Sequence, residues 1–292
     1  MKPTIPLLAL LLAGCTQPAA PGGGGIVSTN PCADAMLVEL VPPGRIAAIS
    51  HYSVEPDASS MPLDVARRFA TTAGTAEEVI GLHPELVVTS SFTSPVTLAA
   101  YQRAGLKVLT LDSPTTIAAS EVQIRTLAAA IGAPAQGEAM VAKIESAVTS
   151  SLPGRRPGPS IGPVVMGARP SPGKAKEGAE PSALLFIAGD LANGSGTLLD
   201  ELLTRAGFRN AAADYGLQFT GQIPIETIAA HPPRVILAPD ASRTAALRSR
   251  VLARTGATVT EASFPRRLVN CGGPAIIPAL QRLRDVRRSL TS

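Results

Sequence analysis

One phrase occurs twice in this chain and constrains its fold more than any other feature. Glu77 to Val88 reads E-E-V-I-G-L-H-P-E-L-V-V, and Glu226 to Leu237 reads E-T-I-A-A-H-P-P-R-V-I-L. Aligned without a gap, Glu77 falls on Glu226, Val79 on Ile228, Pro84 on Pro233, and Leu86-Val87-Val88 on Val235-Ile236-Leu237. Each copy predicts a short helix, a proline stop and a buried strand. Proline and its predecessor resist helical continuation, and the apolar triplet that follows is short and rich in β-branched residues. A unit used twice, about 150 residues apart, fits two similar α/β lobes and not a short-period solenoid.

The 292 residues are comfortable for two domains. With 45% hydrophobic and 16% charged residues, the chain can bury a sizeable core. A net charge of +4, without a basic-and-aromatic platform, does not point to nucleic acid. Arg266, Arg267, Arg282, Arg284, Arg287 and Arg288 read as the solvated face of a last helix.

The N-terminus reads as a targeting segment. Lys2 supplies a positive start, and Ile5 to Ala13 is an apolar run far shorter than the ~20 residues of a membrane span. Leu12-Ala13-Gly14-Cys15 resembles the lipobox of bacterial lipoproteins, which implies cleavage before Cys15 and lipidation of its thiol. The competing reading is an ordinary signal peptide with an incidental cysteine. The glycine-rich stretch after Cys15 reads as a tether. Either way the mature chain lies outside the cytoplasm, in an oxidising space. Two cysteines then remain, Cys32 and Cys271. An even number in an exported chain favours a disulfide, with two separate thiols as the alternative.

The boundaries that follow are a signal peptide 1–14, a tether 15–29, an N-terminal lobe 30–115, connecting helices 116–152, a Pro/Gly-rich linker 153–182 and a C-terminal lobe 183–292. In the first lobe, strand, helix and strand succeed one another as in a βαβ unit with a parallel sheet. Ligands in such sheets bind beyond the carboxyl ends of the strands. That places His51, Tyr52, Ser90, Ser91 and Phe92 at a cleft. In the second lobe Tyr215 and Asp240 hold comparable loop positions, and 267–270 reads as a late strand. The Gly189–Gly196 loop before a helix resembles a phosphate-binding loop, but Ser195 stands where the lysine belongs. Two readings of it remain: free amides for an anionic group, or a tight turn.

Only three histidines occur, and His83 and His231 both sit in the turns of the repeat. No short-spaced ligand set suggests a dedicated metal site, and no G-x-S-x-G elbow or H-E-x-x-H helix suggests an enzyme.

The order of the lipobox, T-A-E-E-V-I-G-L-H-P-E-L-V-V with a serine-rich strand end, a helical connector, G-T-L-L-D-E-L-L-T-R-A-G-F-R-N-A-A-A and P-I-E-T-I-A-A-H-P-P-R-V-I-L is similar to one family. It is the helical-backbone class of ABC-importer substrate-binding proteins, which carry cobalamin, iron-siderophore complexes or haem. The resemblance implies two Rossmann-like lobes with central parallel sheets, joined by one long backbone helix, and no enzymatic activity. It implies a monomer without a resident cofactor, anchored to a membrane by lipid, that takes a small-molecule ligand in its cleft. It further implies docking to an ABC permease dimer through one glutamate per lobe, by motif position Glu77 and Glu226. For each, a helix-start carboxylate favoured by the helix dipole is the plainer explanation, and Glu78 is a neighbouring alternative to Glu77. His51 and Tyr52 are either ligands to haem iron or ordinary lining residues. A binding protein for a bare metal ion and an exported enzyme on the same scaffold are the alternative functions. The absence of tryptophan departs from aromatic-rich pockets.

Overall fold

The computed structural model describes residues 24–150, 180–239 and 243–290. The signal peptide, Cys15, most of the linker and Asp240 lie outside the described residues.

The first lobe holds β1 (Ile26–Ser28), α1 (Pro31–Leu40), β2 (Ile46–Ser50), α2 (Leu63–Ala66), β3 (Thr71–Thr72), α3 (Ala76–Gly81), β4 (Leu86–Ser90), α4 (Pro95–Arg103) and β5 (Val108–Leu111). Its sheet runs β3-β2-β1-β4-β5, with every neighbouring pair parallel. Ile26–Ser28, assigned to the tether from sequence, is the middle strand and is buried throughout. Gly25 prepares it, because a side chain there would press on Ala47 Cβ at 3.1 Å. α1 then starts where the chemistry favours it. Asn30 Oδ1 accepts from the amides of Cys32 and Ala33 at 2.9 and 3.4 Å, and proline occupies the first turn.

Two helices, α5 (Ile117–Ala130) and α6 (Pro134–Thr149), form the connection. They fold back on one another across Gly132, whose φ of +71° suits glycine. Arg125 meets Glu138 at 3.0 Å across the pair. Gly137 lets them close, because an added Cβ would lie 2.5 Å from Ala128 Cβ. Gly137→Val should therefore cost about 1–3 kcal/mol by overpacking, read as a lowered denaturant midpoint with unchanged slope.

The second lobe comprises β6 (Ser182–Ala188), β7 (Leu191–Asn193), α7 (Leu198–Arg205), β8 (Arg209–Asn210), β9 (Thr220–Gln222), α8 (Ile225–Ala230), β10 (Val235–Ala238), α9 (Arg243–Arg254), β11 (Thr260–Ser263) and α10 (Ile276–Ser289). Its sheet runs β11-β10-β6-β7-β9, and β8 also pairs with β6. Here the sheet is mixed. β10 pairs in parallel with β6 and β11, while β6-β7 and β7-β9 are antiparallel. Residues 267–270, expected as strand, are not one: Arg266–Leu268 forms a 3-10 turn.

The duplicated phrase is one structural unit used twice. Val79 on α3 and Ile228 on α8 are buried, at 0% and 1% exposure. The following strands, β4 and β10, are interior to their sheets. One hydrophobic core runs without a break from Ile26 and Val88 through Leu127, Met140 and Ile144 to Leu203, Leu237 and Leu283. The lobes are thus packed to each other through the connector and α10. The C-terminal arginines fasten α10 and are not merely solvated. Arg282 Nε donates to the Ser263 carbonyl at 2.8 Å, Arg284 Nη2 to Val148 at 3.4 Å and Arg287 Nε to Gly207 at 3.2 Å. The Cys32–Cys271 disulfide forms, with Cα atoms 5.2 Å apart, and staples α1 to the approach of α10.

Candidate functional site: an interlobe cleft

Two depressions lie between the lobes. The larger, about 700 Å³, is bounded by the Pro56–Asp64 segment after β2 on one side and by Gly189, Pro239, Arg248 and Pro265–Arg267 on the other. The smaller, about 400 Å³, lies between Phe92 and Ser113–Thr115 of the first lobe and Ile187, Leu198 and Thr220 of the second. Both sit off the carboxyl ends of first-lobe strands, where the topology of a parallel sheet leaves space. Each is within the range of small-molecule sites.

The residues expected at the cleft separate on inspection. Phe92 lines the smaller depression and is 83% exposed. Ser90 shapes its turn: Ser90 Oγ accepts from the Phe92 amide at 3.3 Å, and the Ser90 amide donates to Thr93 Oγ1 at 3.4 Å. Ser91 is exposed in the same turn. His51 and Tyr52 open a 3-10 turn at the end of β2, their rings 4.0 Å apart between centroids. His51 Nδ1 lies 3.3 Å from the Thr72 carbonyl, and Tyr52 is 48% exposed. Neither lines either of these two depressions, although their turn leads into the Pro56–Asp64 wall.

Tyr215 does not belong to the cleft. Its hydroxyl donates to the His231 carbonyl at 2.7 Å, and its ring packs on the second-lobe core. Burial, reinforced by Asp214, pushes its phenol up to about 12. The tyrosine fastens the turn of the second repeat. The Gly189–Gly196 loop is also not an anion cradle. It contains a hairpin turn and β7, and the Gly196 amide already donates to Asp200 Oδ2 at 3.0 Å. Thr197 caps α7 by accepting from the Asp200 amide at 3.2 Å.

Beneath the His51 turn lies Asp34, fully buried on α1. Its Oδ2 accepts from the Ser50 amide at 2.9 Å and the Ser53 hydroxyl at 2.7 Å, so it holds both ends of that turn. The Ser28 hydroxyl nearby donates to the Asn30 carbonyl at 3.2 Å, and Oδ1 is left without a partner among the described residues. Burial pushes the carboxyl up to about 7, against the pull of the Ser28 and Ser53 hydroxyls and the Ser50 amide. The sign follows directly. A carboxyl raised in the folded state binds more protons folded than unfolded between pH ~4 and ~7. Its contribution is therefore complete below pH ~4 and is lost as pH rises towards 7, at up to about 1.4 kcal/mol per pH unit. The stability of the wild type relative to Asp34→Asn should fall across that window, which paired melts at several pH values would read.

On the outer surface the repeats present matching carboxylates. Glu78 is occupied, its Oε2 accepting from Thr72 Oγ1 and the Ala73 amide, each at 2.8 Å. Glu77 and Glu226 are exposed in the first turns of α3 and α8 and have no hydrogen bond or ion pair among the described residues. Three arginines line the larger depression: Arg248, on which the sequence reading is silent, and Arg266 and Arg267, which were expected on the last helix and stand instead in a 3-10 turn before it. Arg248 and Leu252 share a buried stripe of α9, but an arginine in such a stripe reads from sequence as exposed. Among the described residues no three His, Cys, Asp or Glu side chains gather as a metal-holding group.

Residues 26–151 match the family model of the periplasmic binding proteins. No curated protein matches the chain significantly. Solved structures similar in fold include the periplasmic haem-binding protein RhuT from Roseiflexus sp. RS-1, with a TM-score of 0.65 at 21% identity over 90% of this chain and 99% of that one. The periplasmic haem-binding protein HutB of Vibrio cholerae gives 0.68 at 14% identity, over 91% and 99%. The periplasmic vitamin B12 binding protein BtuF of the same organism gives 0.60 at 15%, over 91% and 97%. Residues 26–151 thus resemble the periplasmic binding proteins in sequence, and the described residues have the two-lobed α/β fold of these solved structures.

Proposed function

We propose that this protein is the extracytoplasmic substrate-binding lipoprotein of an ABC importer, anchored through Cys15. It captures a metal chelate or corrinoid (ferric siderophore, cobalamin or haem) between its lobes and delivers it to a permease dimer. The observation that carries the reading is the pairing of a cleft between two lobes with matching unengaged carboxylates, Glu77 and Glu226, on the equivalent outer helices. The family match and the haem- and vitamin B12-binding neighbours point the same way. Two like charges on matched lobes suit a two-fold partner bearing arginines, because arginine–carboxylate pairs are geometrically specific. Protein purified from its native host tests the reading by its absorption spectrum and native mass. Corrinoid, haem and ferric catecholate each give a distinct visible band and mass increment. A colourless protein whose melting temperature no member of these classes raises at saturation would refute this ligand class.

A further inference from the structure

Arg248 is the anomalous side chain of the cleft. It is 4% exposed, yet it lines the 700 Å³ depression. Its guanidinium lies 4.0 Å above the Phe186 ring. Nη1 reaches the Gly189 carbonyl only at 3.5 Å, and Nε has no hydrogen-bond partner among the described residues. Among the described residues no carboxylate stands within ion-pair distance of it. Burial pulls its pKa down, and the charge of Glu261 only partly restores it. Glu261 itself accepts the Ser249 hydroxyl at 2.7 Å. An arginine does not shed its proton in a protein, and a buried charge without a partner costs several kcal/mol. A cation held in that state at the wall of an open cleft is poised for an anion. Arg266 and Arg267 line the same depression. The counter-charge facing Arg266 is weak, since Asp57 stands 3.9 Å away and its side chain is 85% exposed.

We infer that the cleft is built for an anionic ligand, a carboxylate-bearing chelate or tetrapyrrole whose acidic group seats on Arg248 with Arg266 and Arg267 at the mouth. The planar guanidinium fork matches a carboxylate in two parallel hydrogen bonds. The inference rests on the binding-protein reading and narrows it, setting neutral corrinoids and neutral chelates aside.

The test titrates the exported protein with four probes: ferric haem, its dimethyl ester, ferric citrate and cyanocobalamin. The ester keeps the ring and iron but blocks both carboxylates. At least one acid, haem or ferric citrate, is expected to bind, and which of them does identifies the source of the carboxylate. The haem ester is expected to bind at least about 10-fold more weakly than haem where haem is the ligand, and cyanocobalamin not at all. Arg248→Gln should weaken the acid by about 10- to 100-fold and weaken any ester binding by a much smaller factor. The paired variant Arg266→Gln, Arg267→Gln should give a smaller loss with stronger salt dependence. The probe comparison on the unaltered protein does not require Arg248→Gln to fold. An ester or cyanocobalamin bound as tightly as the acids, or an acid affinity indifferent to Arg248→Gln, overturns the anionic site and leaves the binding-protein reading standing. Failure of all four probes to bind would count against both.

Discussion

The double substitution Cys32→Ser, Cys271→Ser should lower the melting temperature by roughly 5–15 °C, the expected consequence of losing about 2–5 kcal/mol in a chain of this size. The bond joins residues 239 positions apart, so it removes a very large closed loop from the unfolded ensemble. Entropic stabilisation grows with loop length, although only logarithmically. The bond also has a local role. It joins α1, which carries Asp34 beneath the His51 turn, to Cys271, which lines the smaller depression. Ligand affinity in the double variant should fall together with stability. A melting temperature unchanged by the substitution and by reductant would show that the shared core alone holds the lobes.

Charge reversal at the paired outer carboxylates is expected to have the largest effect on transport. Glu77→Lys with Glu226→Lys should reduce uptake on the order of 100-fold or more, because like charges facing one another at an interface cost several kcal/mol. Equilibrium ligand affinity should change by less than about 2-fold, since both residues lie on outer helices away from either depression. Each single variant should retain intermediate uptake. Glu78→Lys is the control that separates docking from structure. It should disturb the Thr72 and Ala73 hydrogen bonds, and hence stability, more than uptake. Measuring uptake and binding in the same strains decides the matter, and wild-type uptake by the double reversal would remove the docking role.

The sequence was most legible where a local rule dictates the backbone. The duplicated helix-proline-strand phrase became α3-β4 and α8-β10 because proline ends a helix and β-branched triplets enter sheets. Ser94 and Pro95 open α4 as capping chemistry requires, Ser94 Oγ accepting from the Val96 amide at 3.3 Å. The disulfide was expected from the two cysteines that remain once Cys15 is set aside, in a chain that reads from sequence as exported. What escaped depended on partners distant in sequence. β1 is only three residues long, and its place at the sheet centre is set by β2 and β4. β7 hides inside a glycine-rich loop because its pairing with β9 is non-local. Tyr215 read as a cleft residue from its loop position, yet its hydroxyl is committed to the turn at His231. Arg248 drew no reading from the sequence, since helical periodicity cannot announce a charge that tertiary packing buries over Phe186.

The most direct test of the account is an equilibrium titration of the exported protein with haem, a ferric siderophore and cobalamin in turn, followed by heat of binding and by melting temperature. A capture protein with one interlobe site predicts saturable binding of one member of this class at one ligand per chain. It also predicts a melting temperature that rises with ligand concentration, by about 2.7 kcal/mol of added stability at a hundred times the Kd. Heat that never saturates, together with a melting temperature indifferent to every one of these ligands, would contradict it.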